Sequence, residues 1–460
     1  MIEEKTDYLI VGAGAMGMAF ADVLVNESDA SITMVDRYHQ PGGHWNLAYP
    51  YVRLHQPSSF YGVNSKALGA DRIDTLGNNK GLYELASKAE ICAYYDQLMR
   101  EFVASGRVKY YPMCEYKGNG VITSLTSDAR YAVSATTTVD ATFMNVQVPA
   151  MAAPAYKINE GVSCVPPNAL ASLSGDWSHY TVIGAGKTSF DACLFLLDNG
   201  VEPDAICWIK PRESWLWDRA YAQAGDLFES SIAQLQLMQV QVVADSESID
   251  DLFAKAEAAG LVLRIDQSVN PSMFRCATVT RAEIDKLRRI NNVVRLGRVV
   301  SIEEDRINLE QGFLNHGSLT HGPKTLFVDC TADGLARRPA EPVFAQGRIT
   351  LQAIRTCQQV FSAAFIAHLA LSEHDQAQKN QLCTPVPHPD SDTDYLRNML
   401  ADLVNGLAWQ ADPALMAWMK AARLDGFTSP AMSAEADAAH MQKLEKHGMI
   451  AAEKLVRYLS

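Results

Sequence analysis

The sequence predicts an α/β protein made of two Rossmann-like dinucleotide-binding domains, with a helical insertion and a helical C-terminal tail. Three observations carry this expectation. A strand–glycine loop–helix–strand unit occupies residues 8–36, a second of the same kind occupies 180–209, and 460 residues exceed one ordinary core.

In the first unit Tyr8-Leu9-Ile10-Val11 reads as a buried strand, and Gly12-Ala13-Gly14-Ala15-Met16-Gly17 is a G-x-G-x-x-G turn that opens a helix. Gly12 permits the sharp turn. Gly14 lets backbone N–H groups of the loop, Ala15 and Met16 included, approach a pyrophosphate, and Gly17 lets helix and strand pack closely. The helix start adds unpaired donors and the positive end of its dipole. The second strand, Ile32–Val35, runs into Asp36-Arg37. Asp36 stands nineteen residues past Gly17, where a carboxylate can accept both hydroxyls of an adenosine ribose. A lone glycine motif could be a packing turn. Placed between strand and helix with the acid at this distance, it reads as a dinucleotide site.

Pro41-Gly42-Gly43 then marks a loop, followed by an aromatic-rich segment without clean periodicity that would run along the cofactor toward its reactive ring. Residues 81–105 have helical spacing, and short runs at 108–111, 121–125, 131–135 and 137–141 suggest an antiparallel strand layer. A Pro/Ala-rich connector, 148–156, precedes the second unit. There, residues 180–183 form a strand, Gly184-Ala185-Gly186-Lys187-Thr188-Ser189 the turn, and 205–209 the next strand. Ser189 replaces the third glycine, which a small residue permits. This strand ends in Lys210-Pro211-Arg212 instead of an acid. Cations there suit the 2′-phosphate of NADPH, whereas an acid would favour the free hydroxyl of NADH. The plainer alternative is a pair of solvated basic residues at a strand end. A P-loop is excluded, because the glycine it needs five positions before Gly186 is Thr181.

Residues 226–290 read as a helical insertion, 299–302 and 306–309 as a hairpin, and 326–334 as a buried strand running into a turn at Asp333. A helix from Thr356 to 371 and a mostly helical tail complete the chain. The expected division is a discontinuous first domain, 1–165 with 325–460, and a second domain, 175–325, carrying the insertion.

Composition narrows the class. A hydrophobic share of 48%, a charged share of 20% and a formal charge of −13 describe a globular chain with no basic surface for nucleic acid or anionic lipid. The N-terminus has no basic region followed by an apolar one, and no long uncharged apolar window exists. Neither a signal peptide nor a membrane span is expected. Nine cysteines are scattered without a C-x-x-C, which predicts reduced, mostly buried thiols, a cytoplasmic setting and no redox-active dithiol of the kind a disulfide reductase needs. No Cys/His cluster has metal-ligand spacing.

Gly42-Gly43-His44-Trp45 followed by Tyr49-Pro50, set between two glycine loops, resembles the G-G-x-W … Y-P segment of the class B flavoprotein monooxygenases, the flavin-containing and Baeyer–Villiger enzymes. The resemblance covers 5–60 well and 178–212 fairly. It implies FAD on Gly12, Gly14, Gly17 and Asp36, with Gly43, Trp45 and Pro50 near the isoalloxazine. It implies NADPH on Gly184, Gly186, Lys187 and Thr188, with Lys210 and Arg212 at the 2′-phosphate. His44, Trp45, Gln56 and Ser59 become candidates beside the flavin ring, joined by Trp217 and Arg219 from the second domain. The alternative for Trp215 and Trp217 is simple burial, and for His44 a solvated loop histidine. The helix start at Thr356 and Cys357 is expected to aim at the flavin, and Cys357 is equally readable as an inert buried thiol. The implied activity is an NADPH-dependent FAD monooxygenase in which O2 adds at flavin C4a and the hydroperoxide oxygenates a small organic substrate. Departures bear on which one. No F-x-G-x-x-x-H precedes the second loop, Phe143 stands where glycine is usual, and His55 occupies the place of the Baeyer–Villiger acid, so nitrogen or sulfur oxygenation leads. A flavin dehydrogenase or oxidase with a vestigial second site, and a binding protein without turnover, stay open. The helical tail is a candidate homodimer interface.

Overall fold

The computed structural model describes residues 2–315, 324–332, 334–427 and 434–460. Its first sheet is centred on Ile2–Val11, which pairs in parallel with Ile32–Val35 on one side and Arg130–Asp140 on the other. Val108–Tyr111 extends the first edge and Arg348–Thr350 the second, again in parallel. Leu9 and Ile10 are fully buried, as a continuous apolar run at the centre of a parallel sheet requires. Helix Ala15–Glu27 leaves the glycine loop and packs on helix Gln359–Leu371. The latter, VFSAAFIA in its first turns, is apolar all round and sits inside the largest core.

Two local expectations change. The runs at 131–135 and 137–141 are one strand, Arg130–Asp140, because Thr136, Thr137 and Thr138 are β-branched and hold the chain extended. It is antiparallel only to Val121–Ser124. The helix expected from 81 starts at Lys88. Ser87 Oγ accepts from Glu90 N, and the Glu90 carboxylate accepts from Ser87 N, a capping box that fixes the start.

The second sheet is wholly parallel, in the order Asn292–Val294, Ile206–Ile209, His179–Ile183, Thr325–Asp329, Cys164–Val165. Thr325–Asp329 therefore lies against the strand of the second glycine loop, and the domain boundaries at 165 and 325 shift accordingly. The insertion also departs from expectation. Helices Ile232–Asp245, Ile249–Ala258 and Arg281–Leu287 accompany a three-stranded sheet of Ser214–Asp218, Val262–Leu263 and Met273–Val279. The tail divides between the two halves. Tyr395, Leu396, Ala451 and Leu455 join Trp215, Phe253 and Phe274 in the insertion core, while Trp409, Leu415 and Met419 join the first domain. No helix among the described residues is long and apolar enough to cross a membrane.

Candidate cofactor site

The first glycine loop is shaped by close backbone approach. Gly12 has φ +101°, and a Cβ on Gly17 would lie 2.0 Å from the Gly12 carbonyl oxygen, so the helix can reach the strand only with glycine there. The aromatic segment folds back over this loop. Gly42 N donates to Ala13 O at 2.9 Å, and a Cβ on Gly43 would stand 3.0 Å from Gly14 Cα. Asp36 Oδ2 accepts from Ala13 N at 2.5 Å and Oδ1 from Tyr38 N at 2.8 Å, while burial raises its pKa. Each oxygen keeps a lone pair for a ribose hydroxyl. No side chain caps helix Ala15–Glu27 or helix Lys187–Asp198, so the first N–H groups of both are left to a ligand.

Both loops open on a single cavity of 1090 Å³. Gly12, Gly14, Ala15, Met16, Asp36, Arg37, Gly43, His44, Trp45 and Gln56 line one part of it. Gly184, Gly186, Lys187, Thr188 and Arg212 line another. A Cβ on Gly186 would meet nothing within 4 Å, so the backbone there borders open space. These features fit a dinucleotide at each loop. Trp45 is held by its Nε1–H to the Tyr61 hydroxyl at 2.6 Å. Burial pushes the His44 imidazole down to about 4, and burial with the charges of Lys187 and Arg219 pushes His55 down to about 3. Both rings are uncharged at neutral pH. His55 Nδ1 accepts from Thr278 N at 3.3 Å, so its Nε2 carries the proton.

Several expected residues lie elsewhere. Gly17 serves packing and does not line the cavity. Pro50 is exposed, and its neighbours Tyr49 and Val52 line the wall instead. Lys210 is fully buried, paired with Glu213 at 2.5 Å and packed on the Trp208 ring, and it does not line this cavity. Arg219 spends its guanidinium on Glu283 (3.0 Å), Asn79 (3.2 Å) and the carbonyls of His55 (3.0 Å) and Thr278 (3.3 Å), as an interior tie. Trp217 is buried against Phe274 in the insertion core, and Ser59 does not reach the cavity. Thr356 points inward, its N–H donating to Asp402, while Cys357, Gln358 and Gln359 reach the cavity. Asp333 lies outside the described residues.

Other residues enter that the sequence pattern did not single out. Tyr49 donates to Asp191 Oδ2, and Lys187 binds the other oxygen. Asp390 gathers Arg212, Arg275 and Arg337, and against the opposing effect of burial the hydrogen bonds and charges of Arg212 and Arg275 hold its carboxyl well below the usual range. Cys276 and Cys357, expected as reduced thiols, are joined in a disulfide on the cavity wall. They are 81 residues apart, a separation that no spacing rule connects. No cluster of metal-ligating side chains occurs among the described residues.

No family model matches the chain. Uncharacterized protein Rv2000 of Mycobacterium tuberculosis is 50% identical over 422 residues, 92% of this chain and 78% of that protein. Uncharacterized protein Mb2023 of Mycobacterium bovis matches with the same figures. Among solved structures, the open crystal structure of cyclohexanone monooxygenase aligns over 98% of both chains with a TM-score of 0.50 and 11% identity. The fold is that of the class B flavoprotein monooxygenases.

Proposed function

We propose, from the premise that this chain belongs to one family with the mycobacterial proteins Rv2000 and Mb2023, that it is an FAD-dependent oxidoreductase driven by NADPH. Its reaction is the monooxygenation of a small organic substrate at nitrogen or sulfur. The observation that carries this reading is the pair of uncapped, glycine-started helices opening on one cavity, which suits two dinucleotides meeting end to end. FAD held at the first loop and NADPH held at the second would together supply hydride transfer and the activation of O2.

The chain's own part is position, charge and dryness. Asp36 receives the adenosine ribose, and the start of helix Ala15–Glu27 receives the pyrophosphate. Thr188 and Lys187 stand at the second pyrophosphate, with Arg212 and Arg298 on the same cavity for the 2′-phosphate. Trp45 and Tyr49 wall the reactive region, and the Nε2–H of His55 beside Gln56 supplies neutral donors that orient substrate. A neutral imidazole in the place of an acid favours a soft nucleophile over a ketone. Protein loaded with FAD and mixed in air with NADPH and a panel of tertiary amines and thioethers is expected to yield an N-oxide or sulfoxide matched to the NADPH consumed. Hydrogen peroxide alone across the panel overturns the oxygenation reading.

A dehydrogenase or oxidase with a vestigial second site is the competing reading. It is favoured by Lys187 and Lys210, whose ammonium groups are both engaged by carboxylates. Its mark is bleaching of the flavin by substrate without NADPH.

A further inference from the structure

Cys276 sits in strand Met273–Val279 of the insertion, and Cys357 sits two residues before helix Gln359–Leu371 of the first domain. Their disulfide bridges the two halves of the molecule, and both residues line the cavity that holds the glycine loops. A bond that merely tied these elements together could lie anywhere along their interface. This one forms part of the wall of the site. Both residues adopt left-handed backbone, φ +55° for Cys276 and +57° for Cys357, a conformation that costs a non-glycine residue energy and gathers at functional positions. Cys276 is 2% exposed, whereas Cys357 is half-buried and meets His388 Nδ1 at 3.8 Å on the same wall. The start of helix Gln359–Leu371, two residues on, has no side-chain cap.

Resting on the flavin reading above, we propose that Cys276–Cys357 is a redox-active disulfide that accepts two electrons from the reduced flavin and passes them to a small disulfide admitted to the cavity. In the first half, the S–S bond gains two electrons and one proton and breaks, leaving a thiol at Cys276 and a thiolate at Cys357, while the flavin returns to its oxidised form. In the second half, the more accessible Cys357 thiolate attacks one sulfur of the entering disulfide RSSR. A bond forms between Cys357 and RS, and the other RS leaves as a thiolate. Cys276 then gives its proton to that leaving thiolate and attacks Cys357 Sγ. The internal disulfide re-forms and the second RS group leaves, taking a proton from solvent. The sum is NADPH + H⁺ + RSSR giving NADP⁺ + 2 RSH. The pair opens on the cavity, which suits a small disulfide and not a protein one.

The test uses the full-length FAD-loaded protein without oxygen, its flavin photoreduced with light and EDTA so that the result does not depend on NADPH. Iodoacetamide labelling is read peptide by peptide. Cys276 and Cys357 are expected to be unlabelled in the oxidised protein and both labelled after reduction, with about four electrons taken up per flavin instead of two. The Cys276→Ser and Cys357→Ser variants are expected to keep the flavin and take up two. With NADPH present, 5,5′-dithiobis(2-nitrobenzoate) is expected to be turned over by the native protein and not by Cys357→Ser. Two cysteines that stay unlabelled beside a fully reduced flavin overturn this inference and leave the flavin reading intact, as does labelling of both in the oxidised protein. A flavin that photoreduces but ignores NADPH counts against the proposed function while the labelling still decides the disulfide. A protein that takes up no flavin overturns both.

Discussion

The hydroxyl of Tyr49 donates to Asp191 Oδ2 at 2.6 Å, tying the aromatic segment behind the first glycine loop to the helix that leaves the second. Lys187, four residues earlier on the same helix, occupies the other carboxylate oxygen, so the Asp191 carboxylate joins a tyrosine of the first domain to the lysine of the second loop. Tyr49→Phe removes one hydrogen bond to a charged acceptor, worth about 1.5–3 kcal/mol. Asp191 keeps Lys187 and no charge is stranded. The expected outcome is a several-fold weaker NADPH affinity with unchanged flavin content, read by titrating flavin fluorescence with NADPH. Unchanged affinity would detach the pair from nucleotide binding.

Two alanine substitutions separate packing from ligand space. In Gly17→Ala the new methyl meets the Gly12 carbonyl at 2.0 Å, and backbone must move. That variant is expected to be insoluble or free of FAD. In Gly186→Ala the methyl enters open space, so the protein should fold and hold FAD. Its KM for NADPH should rise at least about tenfold, equivalent to about 1.4 kcal/mol. Circular dichroism, flavin content and KM together decide the pair.

Cofactor choice is expected to rest on Arg212 and not on Lys210. Arg212→Ala should lower the preference for NADPH over NADH about tenfold or more by deleting a cation from the cavity. Lys210→Met should leave that ratio alone, since the ammonium is buried against Glu213. A selectivity change in Lys210→Met contradicts the assignment.

Arg219 is a structural tie. Replacing it with alanine strands Glu283 in the interior and is expected to cost about 3–5 kcal/mol, read in urea unfolding. Arg219→Lys keeps the charge, and its folded fraction is expected to reduce flavin at the native rate. A large rate loss there with normal stability would return Arg219 to the chemistry.

Acid should weaken the fold through the two uncharged histidines. Their folded pKa values, about 4 for His44 and about 3 for His55, lie below the ordinary 6.5. Below pH 6.5 the unfolded chain therefore binds more protons than the folded one, and stability falls with pH. At pH 5 each imidazole costs at most about 2 kcal/mol relative to pH 7. Asp402, raised to about 6 by burial, acts in the opposite sense. The comparison of His55→Gln with native protein isolates one ring, and the variant is expected to lose less stability between pH 7 and 5. Equal losses contradict the neutral buried imidazole.

The first loop was legible because its demands are local. A turn, a close helix and an acid at a fixed distance are written within 29 residues, 8–36, and the structure has Gly12, Gly14 and Asp36 on one cavity. Side-chain direction at a strand end is not local. Lys210 turns inward because Glu213 lies three residues on inside the core, and neither periodicity nor composition carries that information. The aromatic segment had no period, so the choice between Pro50 and Tyr49 could not be read. The strand Met273–Val279 was hidden in a helical neighbourhood because its partner, Ser214–Asp218, lies outside the insertion. Cys276 and Cys357 meet only through that same tertiary arrangement.

Anaerobic rapid mixing of the FAD-loaded protein with NADPH tests the shared cavity most directly. The account predicts bleaching of the oxidised flavin band at a rate that saturates with NADPH and drops in Gly186→Ala. A flavin that stays oxidised at saturating NADPH, or a protein that cannot be loaded with FAD, contradicts it.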